Sequence, residues 1–190
     1  MTSPDEAARI AERLLAGDLP RRWQHSRGVA RAARSVASLA GPDEELLEAA
    51  AWLHDVGYAP AIATTGFHPT DGAAHLQTLG LDGDLVSLVA HHTNSEVEAV
   101  ERGITALLDP FPAHGDRVRR VLPLLTYCDL TTSPDGDTIG IDVRLADIYE
   151  RYAPADAVHR AIRRGEDALR SVHAEVTDAL SRNGSVASGT

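Results

Sequence analysis

The segment "LHDVGY" sets His54 beside Asp55, and five more residues of metal-ligand type, His25, His68, His91, His92 and Asp129, stand on or beside apolar stripes of the chain. Imidazole nitrogen and carboxylate oxygen are both good ligands for first-row divalent metals. An ionised carboxylate without a partner is costly to bury, and a cation compensates it with a single centre. Seven candidate ligands are more than one tetrahedral or octahedral ion takes, so they point to one or two divalent transition ions of the Fe, Mn, Co or Zn kind. A carboxylate offers two oxygens, which makes Asp55 the natural bridge between two ions. A pair of ions roughly 3.5–4 Å apart activates water and stabilises the attacking and leaving oxygens of an in-line displacement. Taken singly, each residue has a plainer reading: a hydrogen-bonded core histidine, a cap for His68, an arginine partner for Asp129, one core and one surface residue for His91 and His92. Their coincidence on separate segments favours the metal.

The elements that must position these groups read as helices. "SPDEAARIAERLLAG" carries Ser3 as N-cap, Pro4 at the first helical position and Glu6 completing a capping box, and it closes at Gly17. A second helix from Pro20 places His25, Gly28, Val29, Ala32 and Val36 on one stripe. A third, over residues 43 to 57, carries Leu46, Leu47, Ala50, Leu53, His54 and Gly57 at helical spacing. Adjacent helical side chains diverge by about 100°, so His54 and Asp55 can share an ion only near a helix end, and Gly57 and Pro60 place that end close by. Pro69 starts a further helix with His68 just before it. In "GDLVSLVAHHT" the residues Leu85, Leu88, Val89 and His92 follow one face with His91 beside it. Val118, Leu122, Leu125 and Asp129 share another stripe, and Pro123 is expected to kink or divide that segment. A loop rich in Gly, Pro and Asp leads to "VRLADIYERY" and then to a long amphipathic helix from Asp156 to about Leu180. The loop "DGDTIGID" lacks the closing glutamate of an EF-hand and reads as a turn. His75, His114, His159 and His173 read as non-ligands. No strand alternation appears, so the fold class is all-α.

With 190 residues, 43% hydrophobic and 24% charged, the chain has the composition of one globular domain. We expect that domain over 1–182, with the metal-ligand core in 20–132, C-terminal helices in 142–182 and a frayed tail over 183–190. The lone cysteine, Cys128, excludes an internal disulfide and a thiolate cluster. No apolar run approaches the roughly 20 residues of a membrane span, and the acidic N-terminus does not resemble a signal peptide, so no membrane partner and a cytoplasmic location are expected. A formal charge of -10 argues against binding to a nucleic-acid backbone. A small substrate in a locally positive pocket remains compatible with it. All basic side chains other than histidine are arginine, a residue suited to bidentate phosphate contacts.

The ordered set "WQHSRGVARAA", "LHDVGY", "FHPTDGAAHL", "VAHHTNSE" and "LLTYCDLTT" resembles the HD superfamily of metal-dependent phosphohydrolases. The resemblance implies a helical bundle around a metal site, with His25, His54, Asp55 and Asp129 as core ligands and with His68, His91 and His92 serving a second metal as in the bimetallic branch. The segment after the histidine pair lacks the Gly-Tyr-Pro signature of the cyclic-dinucleotide enzymes. Tyr58 stands where many members have lysine, and Arg21 where some have a glutamate ligand, so no third metal is expected. The resemblance implies hydrolysis of a phosphoester of a nucleotide or similar small metabolite, in which Asp55 orients the nucleophile and His68 or His92 donates a proton to the leaving oxygen. Arg144 is the candidate phosphate contact. The same ligand set also serves HD-fold di-iron oxygenases, and a metal-free HD bundle could act as a ligand sensor.

Overall fold

The computed structural model describes residues 2–187. Its order of elements is α1 (Pro4–Leu15), α2 (Pro20–Ser35), the short α3 (Ala37–Ala40), α4 (Glu44–Leu53), α5 (His68–Thr78), α6 (Gly83–His91), α7 (Ser95–Arg102), α8 (Asp116–Leu130), α9 (Ile141–Arg151) and α10 (Ala157–Ala187). Among the described residues the only bridge of β type is the isolated Thr132–Thr138 pair. The all-α expectation therefore stands. No helix among them is long and apolar enough to cross a membrane.

The centre of the bundle is α4, which packs against α1, α2, α6 and α8. Its run Ala49, Ala50, Ala51 is fully buried, as are Leu47 and Leu53. Three successive alanines let neighbours approach from several sides, while the leucines fill the space between them. Trp52, at the edge of this packing, stacks on Trp23 of α2 with ring centroids 5.4 Å apart. A second apolar cluster joins Leu130 at the end of α8 to Ile141, Leu145 and Ile148 of α9 and to Ile162 and Leu169 of α10.

Several boundaries differ from the sequence reading. The third helix stops at Leu53, leaving His54 as C-cap and Asp55 just beyond it, and a single 3-10 turn, Val56–Tyr58, follows. Helix α5 begins at His68 itself, with Phe67 as its N-cap, so Pro69 is the second helical residue rather than the first. Pro123 neither divides nor ends α8, which runs unbroken through it. The last helix extends to Ala187, well into the segment expected to fray; 188–190 lie outside the described residues. The sequence reading had no helix over Ser95–Arg102. That helix starts from Asn94 at φ 67 and ends on Gly103 at φ 71, so both ends rest on left-handed residues rather than on an Asp or Ser cap.

Candidate metal centre

Five ligand-type side chains meet where α2, α4, α5 and α6 converge. Asp55, 3% exposed, lies at the middle of them. Its Oδ2 faces His25 Nε2 at 3.8 Å and His54 Nε2 at 3.3 Å. Its Oδ1 faces His68 Nε2 at 3.4 Å and His92 Nε2 at 3.8 Å. The carboxylate thus divides the cluster into two groups that share it, His25–His54–Asp55 and Asp55–His68–His92, and each could hold a metal ion.

Backbone carbonyls set the ring orientations. A carbonyl can only accept, so a ring nitrogen against one must carry the proton. His25 Nδ1 donates to Ser133 O at 2.9 Å, His54 Nδ1 to Ala51 O at 2.9 Å and His92 Nδ1 to Val89 O at 2.7 Å. In His54 and His92 the Nε2 is thereby turned toward Asp55, the tautomer and pose of a histidine ligand, and in His25 it faces both Asp129 and Asp55. For His54 and His92 the acceptor lies three residues earlier, an arrangement open to them because each is the C-cap of its helix. For His25 the acceptor comes from a loop seated on α2. Gly28 admits that loop, since a Cβ there would lie 2.5 Å from Gly136 O.

His68 is carried by the start of α5, and two devices hold it. Its ring stacks on Tyr58 at 3.9 Å. The preceding loop is gathered by Asp71, whose carboxylate accepts from the amides of Thr64, Thr65 and Gly66 and from the Thr64 and Thr65 hydroxyls. The turn that follows His92 is held from the other side, where Asn94 Nδ2 donates to Ala161 O at 2.8 Å. Gly165 of α10 makes room for it, because a Cβ there would be 2.3 Å from Asn94 Oδ1.

The electrostatics match a cation site. Burial alone pushes the Asp55 and Asp129 carboxyls up, but Arg22 and His54 outweigh it for Asp55, and His25 and Arg144 outweigh it for Asp129; both are held well below the ordinary carboxylate range. Burial holds the His68 imidazole well below its ordinary value, with His92 and Arg22 adding to that, and it lowers His92 with help from His54. Both rings are therefore neutral near pH 7 and present lone pairs. Burial pulls His54 down too, but Asp55 and Asp129 carry it above its ordinary value.

Two contacts test whether the residues fit a metal. His54 Nε2 is buried with no hydrogen-bond partner, although Asp55 is close. His68 Nε2 and His92 Nε2 approach to 3.2 Å, and His92 has its one proton on Nδ1. A buried imidazole nitrogen without a partner is unfavourable on its own. Donor separations of 3.3 to 3.8 Å about Asp55 suit ligands each at about 2.0–2.2 Å from a shared ion. The donor set fits.

Of the seven expected ligands, the structure brings together His25, His54, Asp55, His68 and His92. Asp129, near the end of α8, sits beside them: its Oδ1 lies 3.0 Å from His25 Nε2 and accepts from Arg144 at 3.1 Å. His91 does not join. Its Nε2 faces Phe111 O at 2.6 Å and its Nδ1 faces Glu96 Oε1 at 2.8 Å, so both nitrogens serve oxygen acceptors away from Asp55. The apolar stripe that continues to His92 turns its neighbour about 100° aside, and here that direction leads to the chain around Phe111. The expected proton donors, His68 and His92, both direct Nε2 into the cluster and line the narrow cavity above it. His159 meets Tyr152 O and His173 stacks on Tyr127, both outside the cluster.

Arg144 is 7% exposed and lines the cavity over the cluster while holding Asp129. One neighbour was not anticipated. Arg22 Nη1 donates to Asp55 Oδ2 at 2.7 Å, and its guanidinium lies 4.0 Å over the Tyr58 ring. The signal for Arg22 was its place one turn before His25, on the same face of α2. The general habit of helical arginines to decorate a solvated face obscured it.

Residues 22–152 match the HD domain family, a span that begins at Arg22 and takes in every residue of the cluster together with Arg144. No curated protein and no solved structure matches the chain.

Proposed function

From the chain's membership of the HD domain family, whose members are typically metal-dependent phosphohydrolases, we propose that it hydrolyses a phosphoester of a nucleotide or similar small phosphorylated metabolite at the Asp55 cluster. The observation that carries the proposal is the division of Asp55, with one oxygen toward His25 and His54 and the other toward His68 and His92. When bound, divalent transition ions lower the pKa of water and offset charge on the phosphoryl oxygens.

The chain's own residues supply the rest. His25, His54, His68, His92 and Asp55 would hold the ions, and Asp129 stands next to His25 as a further oxygen donor. The Asp55 carboxylate, kept ionised, accepts a hydrogen bond from the attacking water and fixes its direction. Arg22 and Arg144 line the narrow cavity above the cluster, where their guanidinium groups grip the non-bridging oxygens of the substrate. Ile148, Val158 and Ile162 close one side of that cavity and reduce its water.

The test pairs elemental analysis of the purified protein with a phosphate-release screen over nucleotides, dinucleoside polyphosphates and sugar phosphates. Wild type should contain one or two transition ions and release phosphate, and Asp55→Ala should lower both the metal content and the rate, the rate by more than about 100-fold. Full activity in Asp55→Ala would refute the assignment. Oxygen uptake by the iron-loaded protein with no phosphate released would replace it with the oxygenase reading.

A further inference from the structure

The narrow cavity over the cluster, about 90 Å³, opens beside a second one of about 310 Å³, and the two share Arg22, Arg144 and Arg151. The larger cavity adds Arg21 and reaches His25, so four of the chain's 18 basic side chains converge on one hollow in a protein of net charge -10. Its remaining wall is mostly apolar, formed by Leu19, Pro20 and Pro134, with Asp18 as the one carboxylate among the described lining residues. We propose that this cavity is a subsite for a second anionic group of the substrate, so that the protein acts on nucleotide-sized compounds carrying two or more phosphates. The proposal rests on the phosphohydrolase reading and specifies its substrate class.

Each of the four arginines is held by an acid, and the nature of those acids supports the assignment. Arg22 and Arg144 hold Asp55 and Asp129, the carboxylates at and beside the cluster. A cation taking those carboxylates leaves both guanidinium groups seeking another anion. Arg21 and Arg151 hold Asp135 and Asp147 at 2.8 and 2.7 Å, pairs in which Arg21 and Asp135 are 62% and 61% exposed and Arg151 and Asp147 about one-third exposed. Exposed pairs of this kind contribute little to stability and exchange readily, whereas a phosphate satisfies a planar guanidinium with two parallel charged hydrogen bonds. Arg144 Nε adds a buried donor that has no partner. The volume suits a small-molecule fragment. One phosphate placed at Asp55 and another among Arg21, Arg144 and Arg151 would span the shared wall, with the apolar surface left for a sugar or base.

The test uses the full chain with divalent metal bound, the state in which Arg22 and Arg144 are released from Asp55 and Asp129, and subtracts the heat of any turnover. Its affinity for adenosine 5'-monophosphate is compared by calorimetry with that for adenosine 5'-diphosphate and adenosine 3',5'-bisphosphate. We expect at least one of the doubly phosphorylated probes to bind about tenfold tighter or more, the gain that hydrogen bonds to a charged group provide. In the double variant Arg21→Gln, Arg151→Gln, whose parent side chains are at the surface, that advantage should fall below about twofold. Equal affinities in wild type, with no measurable binding of any probe counted as equal, or an advantage that survives the double substitution, would overturn the subsite. The same metal-loaded protein separates this from the underlying reading. Phosphate release with no preference for the doubly phosphorylated compounds removes the subsite and leaves the hydrolase. Preferential binding without any phosphate release keeps the subsite as a ligand site and removes the hydrolase.

Discussion

Substituting Gly57 by alanine should separate the two halves of the cluster. Gly57 follows Asp55 by two residues, and its backbone lies against the start of α5: a Cβ there would be 1.9 Å from His68 O and 2.6 Å from Gly72 N. Both obstacles are main chain, so no side-chain rotation relieves them. Opening the closer contact to an ordinary 3.4 Å requires His68 and the turn at Gly57 to part by about 1.5 Å. A metal site tolerates only about 0.2 Å in its ligand distances. The group Asp55–His68–His92 should therefore lose its ion, while His25–His54–Asp55, held by α2 and α4, keeps its own. Overpacking of this kind costs about 3 kcal/mol, which for a chain of this size lowers Tm by about 6–12 °C. Thermal unfolding of the chelated protein measures the first effect, and elemental analysis after reloading measures the second. Gly83→Ala, at a position where a Cβ meets nothing within 4 Å, is the control and should leave both unchanged. If Gly57→Ala melted within about 2 °C of wild type and bound as much metal, the close approach would not be what seats His68.

Asp71→Asn should destabilise the protein by about 2–3 kcal/mol, since it removes a charged acceptor of several hydrogen bonds. Burial pushes the Asp71 carboxyl up, but the donors of Thr64 and Thr65 outweigh it and hold it below its ordinary value. Its contribution is therefore complete above the unfolded value near about 3.9 and is lost as pH falls through the lower native value, so urea titrations of wild type and variant should converge in acid and differ at neutral pH. Arg22→Gln breaks the 2.7 Å pair with Asp55; the chelated protein should lose about 2–3 kcal/mol, and metal, which takes over the same carboxylate, should narrow the gap between variant and wild type in a melting experiment. Thr93 is a β-branched residue at φ 35 whose buried hydroxyl has no partner. Thr93→Val keeps its shape and removes the unpaired hydroxyl, so Tm should stay level or rise slightly; a drop above about 4 °C would show that the hydroxyl is bonded in solution.

What was legible in the sequence was residue type combined with helical period. His25, His54, Asp55 and His92 fall on or beside apolar stripes, and the stripes do turn them inward. What was not legible was the direction of a side chain at a helix end, where the period stops. His91 and His92 look equivalent as letters, yet His92 is the C-cap of α6 and folds back onto Val89 O, while His91 remains in the last turn and faces Phe111. Arg22 belongs to the same class of miss, since the letter alone does not say that its long side chain turns to Asp55. Contacts between segments far apart in the chain were equally hidden. Nothing in "SPDG" announces that Ser133 supplies the acceptor for His25, and only Gly28, unusual inside a helix of good formers, hinted that a backbone must pass close to α2.

The way the histidines are fixed bears on how the site works. His25, His54 and His92 each spend one nitrogen on a main-chain carbonyl, and a main-chain acceptor cannot be protonated or rotate away as a carboxylate partner can. Their orientation is therefore set by the main chain, by their own helices for His54 and His92 and by the Ser133 loop for His25. Asp55 is placed differently: its carboxylate is held by Arg22, a side chain that is itself partly exposed and stacked on Tyr58. The imidazoles form a fixed frame, and the carboxylate shared by both groups is the member able to change partners. An ion held in this frame would have nitrogen donors already aimed at it and would compete for the Asp55 carboxylate with Arg22, whose guanidinium lines the cavity above the cluster.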